Sequence, residues 1–134
     1  MAETFQLEIV TPEKLVVDDR AEEMQIPGKN GYLGVLPGHA PLITELAVGE
    51  ISYRRGGTTE RLSVAWGFAE VLPEKVTILA QTAERAEEID AARAERARER
   101  AEARLKGGDP GTDFPRAQTA LARAVARLEV AGKG

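Results

Sequence analysis

Ile89-Asp90-Ala91-Ala92-Arg93-Ala94 marks the point where a chain of alternating strands becomes a chain of helices. Before it, apolar residues recur at every second position. After it the sequence is built from Ala, Glu and Arg, which are strong helix formers. Asp90 and Arg93 stand one turn apart on one helix face, and Arg100, seven residues beyond Arg93, lies on the same stripe two turns on. A helix that lines up arginines in this way is suited to a polyphosphate, because guanidinium groups match phosphate oxygens two at a time.

Upstream, Phe5, Leu7 and Ile9 alternate with Gln6 and Glu8, as in a half-buried strand, and Thr11-Pro12-Glu13 breaks the run. Leu15-Val16-Val17 and Met24-Gln25-Ile26 read as two short strands, with Asp18-Asp19-Arg20 turning between them. Pro27-Gly28 and Asn30-Gly31 are turn signals, the second of a favoured hairpin type. Further runs at 32–36, 50–54, 61–64, 68–72 and 76–80 are separated by Gly56-Gly57 and Pro73. Short strands punctuated this often predict a sandwich or barrel-like double sheet.

Downstream, Thr82 is the expected N-cap of a helix running from Ala83, with Glu84, Glu87 and Glu88 near the positive end of its dipole. Glu95 with Arg98 and Glu102 with Lys106 are the expected ion pairs along it. Gly107-Gly108 ends the helix, Asp109-Pro110-Gly111 makes the connection, and Asp113 caps a second helix with Pro115 in its first turn, reaching about Ala131. The division is therefore a β domain at 1–83 and an antiparallel helical hairpin at 84–134. Its seam offers Ala86, Ile89, Ala97, Ala101 and Leu105 against Ala117, Leu121, Ala124, Val125 and Leu128. A fully buried large aliphatic contributes about 1.5–3 kcal/mol and an alanine far less, so this arm is expected to open and redock. Arg123 and Arg127 lie one turn apart on the second helix, with Arg116 a heptad before Arg123; folding back brings them toward Asp90, Arg93 and Arg100 around a common ligand.

Composition narrows the function. Of 134 residues, 1–83 carry 7 basic and 12 acidic side chains and 84–134 carry 11 and 10, for a net charge of −4. No face is basic enough for a nucleic-acid binder. There is no cysteine, and His39 is the only histidine, so neither a disulfide framework, a thiolate nucleophile nor a zinc site is assigned. His39, in a loop stiffened by Pro37 and Pro41, reads as an exposed contact residue, since no partner for catalysis can be identified. Gly28-Lys29-Asn30-Gly31 lacks the spacing of a phosphate-binding loop, and Trp66 reads as a core or sheet-packing aromatic. No catalytic residue is assigned. Met1-Ala2-Glu3-Thr4 leads into a strand without a signal-peptide pattern, and the most apolar window, 62–72, is short and contains Glu70. Any membrane attachment is expected to come through another protein.

Three stretches resemble one family. Phe5-Gln6-Leu7-Glu8-Ile9-Val10-Thr11-Pro12 is similar to the first strand of the ε subunit of the F-type ATP synthase. Gly31-Tyr32-Leu33-Gly34-Val35-Leu36-Pro37-Gly38-His39-Ala40-Pro41-Leu42 resembles that family's most characteristic loop, and Ala86-Glu87-Glu88 with the opening hexapeptide resembles the start of its C-terminal hairpin. The resemblance implies an antiparallel sandwich of about ten strands plus two helices. It also implies a non-catalytic rotor subunit of the central stalk that couples proton flow to ATP synthesis, peripheral to the cytoplasmic face of the bacterial plasma membrane. The implied partners are γ, the c ring (with Tyr32 and His39 as candidate contacts) and the α/β head. The arm, when extended, would inhibit ATP hydrolysis by bringing Arg116, Arg123 and Arg127 to acidic segments of β. The resemblance further implies no required cofactor, with ATP as a regulatory ligand of the folded arm, held by Glu84, Ile89, Asp90, Arg93, Ala94, Arg100, Arg123 and Arg127. An unrelated β-sandwich adaptor with a coiled-coil arm is the alternative.

Overall fold

A computed structural model describes residues 3–133, so the reading of Met1-Ala2 and the terminal Gly134 of the hairpin lie outside the described residues. The alternating segments form β1 (Phe5–Val10), β2 (Leu15–Ala21), β3 (Glu23–Gly28), β4 (Gly31–Val35), β5 (Leu42–Leu46), β6 (Gly49–Arg55), β7 (Thr58–Val71) and β8 (Lys75–Arg85). A single 3-10 turn at Ala86–Glu88 leads to α1 (Ala91–Lys106) and α2 (Phe114–Lys133). Strict alternation in β1 buries Phe5, Leu7 and Ile9 completely, and they meet Ile26, Ile51 and Ile78 in the core between the two layers.

The strands pair in the order β2-β1-β8-β7-β5-β3-β4, with β6 joining β3 to β7. β6 lies along residues 58–64 of β7 and β5 along 67–71, so one long strand belongs to both layers of the sandwich. β8 follows β7 through both halves. Eight strands stand where the resemblance implied about ten: the runs at 61–64 and 68–72, which read as separate strands, are continuous in β7, and β5 is a strand that the sequence reading did not pick out. The pairings are antiparallel except for β1 with β8, which run parallel.

The change of layer happens at Trp66-Gly67. Both residues have positive φ, 50° and 132°. A Cβ on Gly67 would sit 1.9 Å from the Leu79 carbonyl oxygen, so only glycine fits there.

Asp18-Asp19-Arg20 is strand, not the expected turn. Antiparallel pairing with β1 carries β2 through these residues, with Leu7 opposite Asp19. Asp19 then faces β6, where it accepts hydrogen bonds from the Tyr53 hydroxyl at 2.9 Å and from Arg55 Nη1 at 2.9 Å. Burial works to raise the Asp19 pKa, but the hydrogen bonds from Arg55 and Tyr53 and the nearby cations together hold it below the ordinary value of 3.8. Burial, then the hydrogen bond and charge of Asp19, push the Tyr53 hydroxyl up to about 12.

The helical arm also begins later than Thr82 suggested. Residues 82–85 remain in the ladder, opposite 62–65 of β7, and the cap passes to Asp90. Asp113 does cap α2, accepting from the Arg116 amide at 3.1 Å, and Gly108 supplies the left-handed residue after α1. Arg98 pairs with Glu95 as expected but takes Glu102 as well, at 3.0 Å, in place of the Glu102–Lys106 pair. The two helices pack on each other, and it is α2 that rests on the sandwich, against β6 and β7.

Gly67→Ala is expected to cost on the order of 3 kcal/mol, read as a lowered urea midpoint, because backbone opposes the new methyl. An unchanged midpoint would mean that the corner relaxes freely. Asp19→Ala is expected to cost about 1.5–3 kcal/mol at neutral pH, since it strips the buried Tyr53 hydroxyl of a charged acceptor. A depressed carboxylate stabilises above its unfolded pKa and loses that contribution as pH falls through its folded value. The gap between Asp19→Ala and the unaltered chain should therefore narrow below pH 3.8 in acid-unfolding curves.

Candidate functional site

Where β8 hands over to the arm, Glu84, Glu88, Asp90, Arg93, Ala94, Ala97, Arg100 and Arg127 line a cleft of about 320 Å³. Helical spacing explains the wall: 93, 97 and 100 lie on one face of α1. Ala94, 3% exposed, keeps the floor low where a larger side chain would fill it. Arg127 reaches in from α2, and its Nε donates to Glu84 Oε1 of β8 at 2.5 Å.

Three carboxylates and three guanidiniums face this cleft, and each carboxylate has at least one protein partner. Glu84 holds Arg127. Glu88 accepts from the Arg85 amide at 3.1 Å and lies 3.6 Å from Lys14. Asp90 accepts from the Arg93 amide at 3.0 Å, which makes it the N-cap of α1. Among the described residues Arg93 and Arg100 form no ion pair, and both are exposed. The cleft therefore offers two uncommitted cations beside a third. Paired guanidiniums of this kind match phosphate oxygens, and no nucleophile and base are in contact among the lining residues.

Six of the residues expected from sequence meet here: Glu84, Asp90, Arg93, Ala94, Arg100 and Arg127. Two do not line it. Ile89 is half-buried at the end of the 3-10 turn, its amide on Ala86 O at 3.3 Å. Arg123 is turned to the sandwich, its guanidinium 5.4 Å from the centre of the Trp66 ring. Arg116 lies away from both, at the tip of the hairpin with Arg104, Asp109 and Asp113. In the docked arm, Arg116, Arg123 and Arg127 thus face three different places.

Tyr32 and His39 stand at opposite ends of β4. The Tyr32 hydroxyl accepts the Glu50 amide at 3.0 Å while its ring stays exposed. His39 follows Gly38, whose amide donates to Pro73 O, and its Nδ1 lies 2.7 Å from Ala40 O. Around that end Leu36, Leu42 and Leu72 are exposed. Phe68 and Leu79, opposite each other across β7 and β8, and Ile43 on β5 are exposed on the outer sheet face. The alternation contains the signal for this face: with Ala69, Val71, Ile78 and Ala80 turned inward, Phe68 and Leu79 must turn outward.

Fold and cleft together define a class of protein: a β-sandwich carrying a docked two-helix arm, with a cleft lined by arginines and carboxylates at the joint. Residues 4–86 match the family described as ATP synthase, Delta/Epsilon chain, beta-sandwich domain, and 87–132 match its long alpha-helix domain. The chain belongs to the ATP synthase delta/epsilon family, among the epsilon chains of bacterial type. It is 71% identical to the epsilon chain of Koribacter versatilis over 110 residues, 82% of this chain and 78% of that one. It is 53% identical to that of Syntrophobacter fumaroxidans over 133 residues, 99% of each chain. Among solved structures, a chain of the Euglena gracilis mitochondrial ATP synthase, a complex described as OSCP, F1 and c-ring, aligns with TM-score 0.84 and 25% identity over 98% of this chain and 82% of that one. Family membership sets aside the alternative of an unrelated adaptor.

Asp90→Ala is expected to cost the arm about 0.5–2 kcal/mol, seen as faster amide exchange in the first turn of α1, while Asp90→Asn, a good cap, restores protection. Equal protection in all three chains would show that Asp90 is not acting as a cap.

Proposed function

We infer that this chain is the ε subunit of an F-type ATP synthase central stalk, non-catalytic itself, whose helical arm is a nucleotide-sensing brake on ATP hydrolysis. The observation that carries the sensing role is the cleft, which joins β8, α1 and α2 through Glu84, Arg93, Arg100 and Arg127. ATP is the ligand that fits this reading: its phosphates would take the uncommitted arginines, and Arg127 would be shared with Glu84. The ring of exposed leucines beside His39, and the outer face bearing Ile43, Phe68 and Leu79, are the surfaces assigned to the c ring and γ. Attachment to the membrane is through those partners; among the described residues no helix is long and apolar enough to cross one.

The seam supports a movable arm. Its buried apolar residues are Ala94, Ala101, Ala117, Ala124, Ala126 and Val130. A ligand bound only by the docked arm stabilises it by RT ln(1 + [L]/Kd), about 2.7 kcal/mol at a hundredfold excess over Kd. On this reading abundant ATP keeps the arm down. Scarce ATP frees it to extend along γ and present Arg116, Arg123 and Arg127 to acidic segments of β, which stops wasteful hydrolysis.

Calorimetric titration of the purified chain with ATP should give saturable heat, and Arg93→Ala, Arg100→Ala or Arg127→Ala should each weaken binding about 10- to 100-fold. No saturable heat at millimolar ATP would overturn the sensing role.

A further inference from the structure

Trp66 is the only tryptophan of the chain, and among the described residues the only non-glycine with positive φ. At φ 50° its Cβ crowds the backbone, so a bulky residue is disfavoured there, whereas glycine would sit without strain. The corner of β7 demands left-handed backbone; it does not demand an indole. What the indole adds is visible on its surface. Arg123 of α2 lies 5.4 Å from the ring centre, within the range of a cation–π contact. Trp66 is 37% exposed even so, and borders a shallow groove with Val10, Pro12 and Leu79.

Arg123 has no other hold. Among the described residues it forms no ion pair, whereas its neighbours on α2 do: Arg127 with Glu84 at 2.5 Å and Lys133 with Glu50 at 3.3 Å. Three cations of one helix thus grip three points of the sandwich. Only the middle one, Arg127, borders the nucleotide-receptive cleft.

We propose that Trp66 and Arg123 form a clasp that fixes how firmly α2 lies on the sandwich, independently of any ligand in the cleft. The strained backbone at residue 66 is retained because it throws the ring out beneath α2. Trp66 and Arg123 are positioning residues for the arm: neither lines the cleft.

The test is amide hydrogen exchange on the full-length chain without nucleotide. Its failure is therefore separable from failure of ATP sensing. Arg123→Gln is expected to raise exchange over residues 120–133 about two- to fivefold, the range of a partly exposed cation–π contact, with protection of β1, β6 and β8 unchanged. Arg123→Lys, which keeps a cation, should restore most of the protection. Trp66→Leu should match Arg123→Gln, and the double variant should exceed neither. Trp66 emission should shift on Arg123→Gln, a readout that survives even if Trp66→Leu fails to fold. Unchanged exchange in Arg123→Gln, an additive double variant, or loss of protection spread equally through the sandwich would each overturn the clasp.

Discussion

The left-handed corner at Trp66-Gly67 is the constraint on which the rest of the molecule depends. A strand of ordinary twist stays in one sheet. Two successive residues with positive φ let β7 leave the layer it shares with β6 and enter the one it shares with β5, while β8 follows on its other edge. That crossing closes the sandwich around Phe5, Ile51, Leu62 and Ile78. It also fixes where β8 ends, and so where Glu84 and the arm begin. Because the Leu79 carbonyl occupies the space a Cβ would need at residue 67, the corner cannot be moved along the strand without breaking the β7–β8 ladder.

The two halves of the molecule are held by different forces. In the sandwich, burial is complete: Leu7, Ile9, Ile26 and Leu62 are all at 0% exposure. Large apolar side chains at this density make unfolding cooperative. The arm buries alanine methyls, each a small fraction of what a leucine supplies, and Leu105, Leu121 and Leu128 remain only half-buried. Its docking depends on discrete polar grips, namely Arg123 over Trp66, Arg127 on Glu84 and Lys133 on Glu50. Such grips are few and partly solvated, so each is individually weak. An element held this way lies at the low-stability end of the molecule, from which moving elements are drawn.

Most of this organisation is legible in the sequence, and the failures share a cause. Alternation located the β1 core residues because each contributes to the pattern locally. It failed at Asp18-Asp19-Arg20, where polar residues are carried in a strand by pairing with β1 and by Tyr53 and Arg55 far along the chain. It failed at 82–85 for the same reason: good helix formers stay in the sheet when β7 offers them a ladder. Residues 93, 94 and 100 share α1 and Asp90 caps it, so their closeness follows from the 3.6-residue period and the cap. What spacing could not supply was orientation across the hairpin. Arg123 and Arg127 are one turn apart, yet one faces Trp66 and the other the cleft, because α2 lies in the groove between α1 and the sheet and shows a different neighbour on each side.

That placement decides what a ligand in the cleft can do. A ligand shifts an equilibrium only by its difference in affinity between the two states. Glu84 belongs to β8, Arg93 and Arg100 to α1, and Arg127 to α2, so the full set of contacts exists only while the arm is docked. Lifting α2 would remove Arg127 from Glu84. An anion spanning α1 and α2 is thereby differential by construction, with no need for a distant pathway. Arg127 already has a partner in Glu84, so part of a ligand's attraction to it would be offset by sharing that cation. On the proposed reading, the uncommitted Arg93 and Arg100 would therefore supply most of the affinity, while Arg127 would supply the dependence on docking.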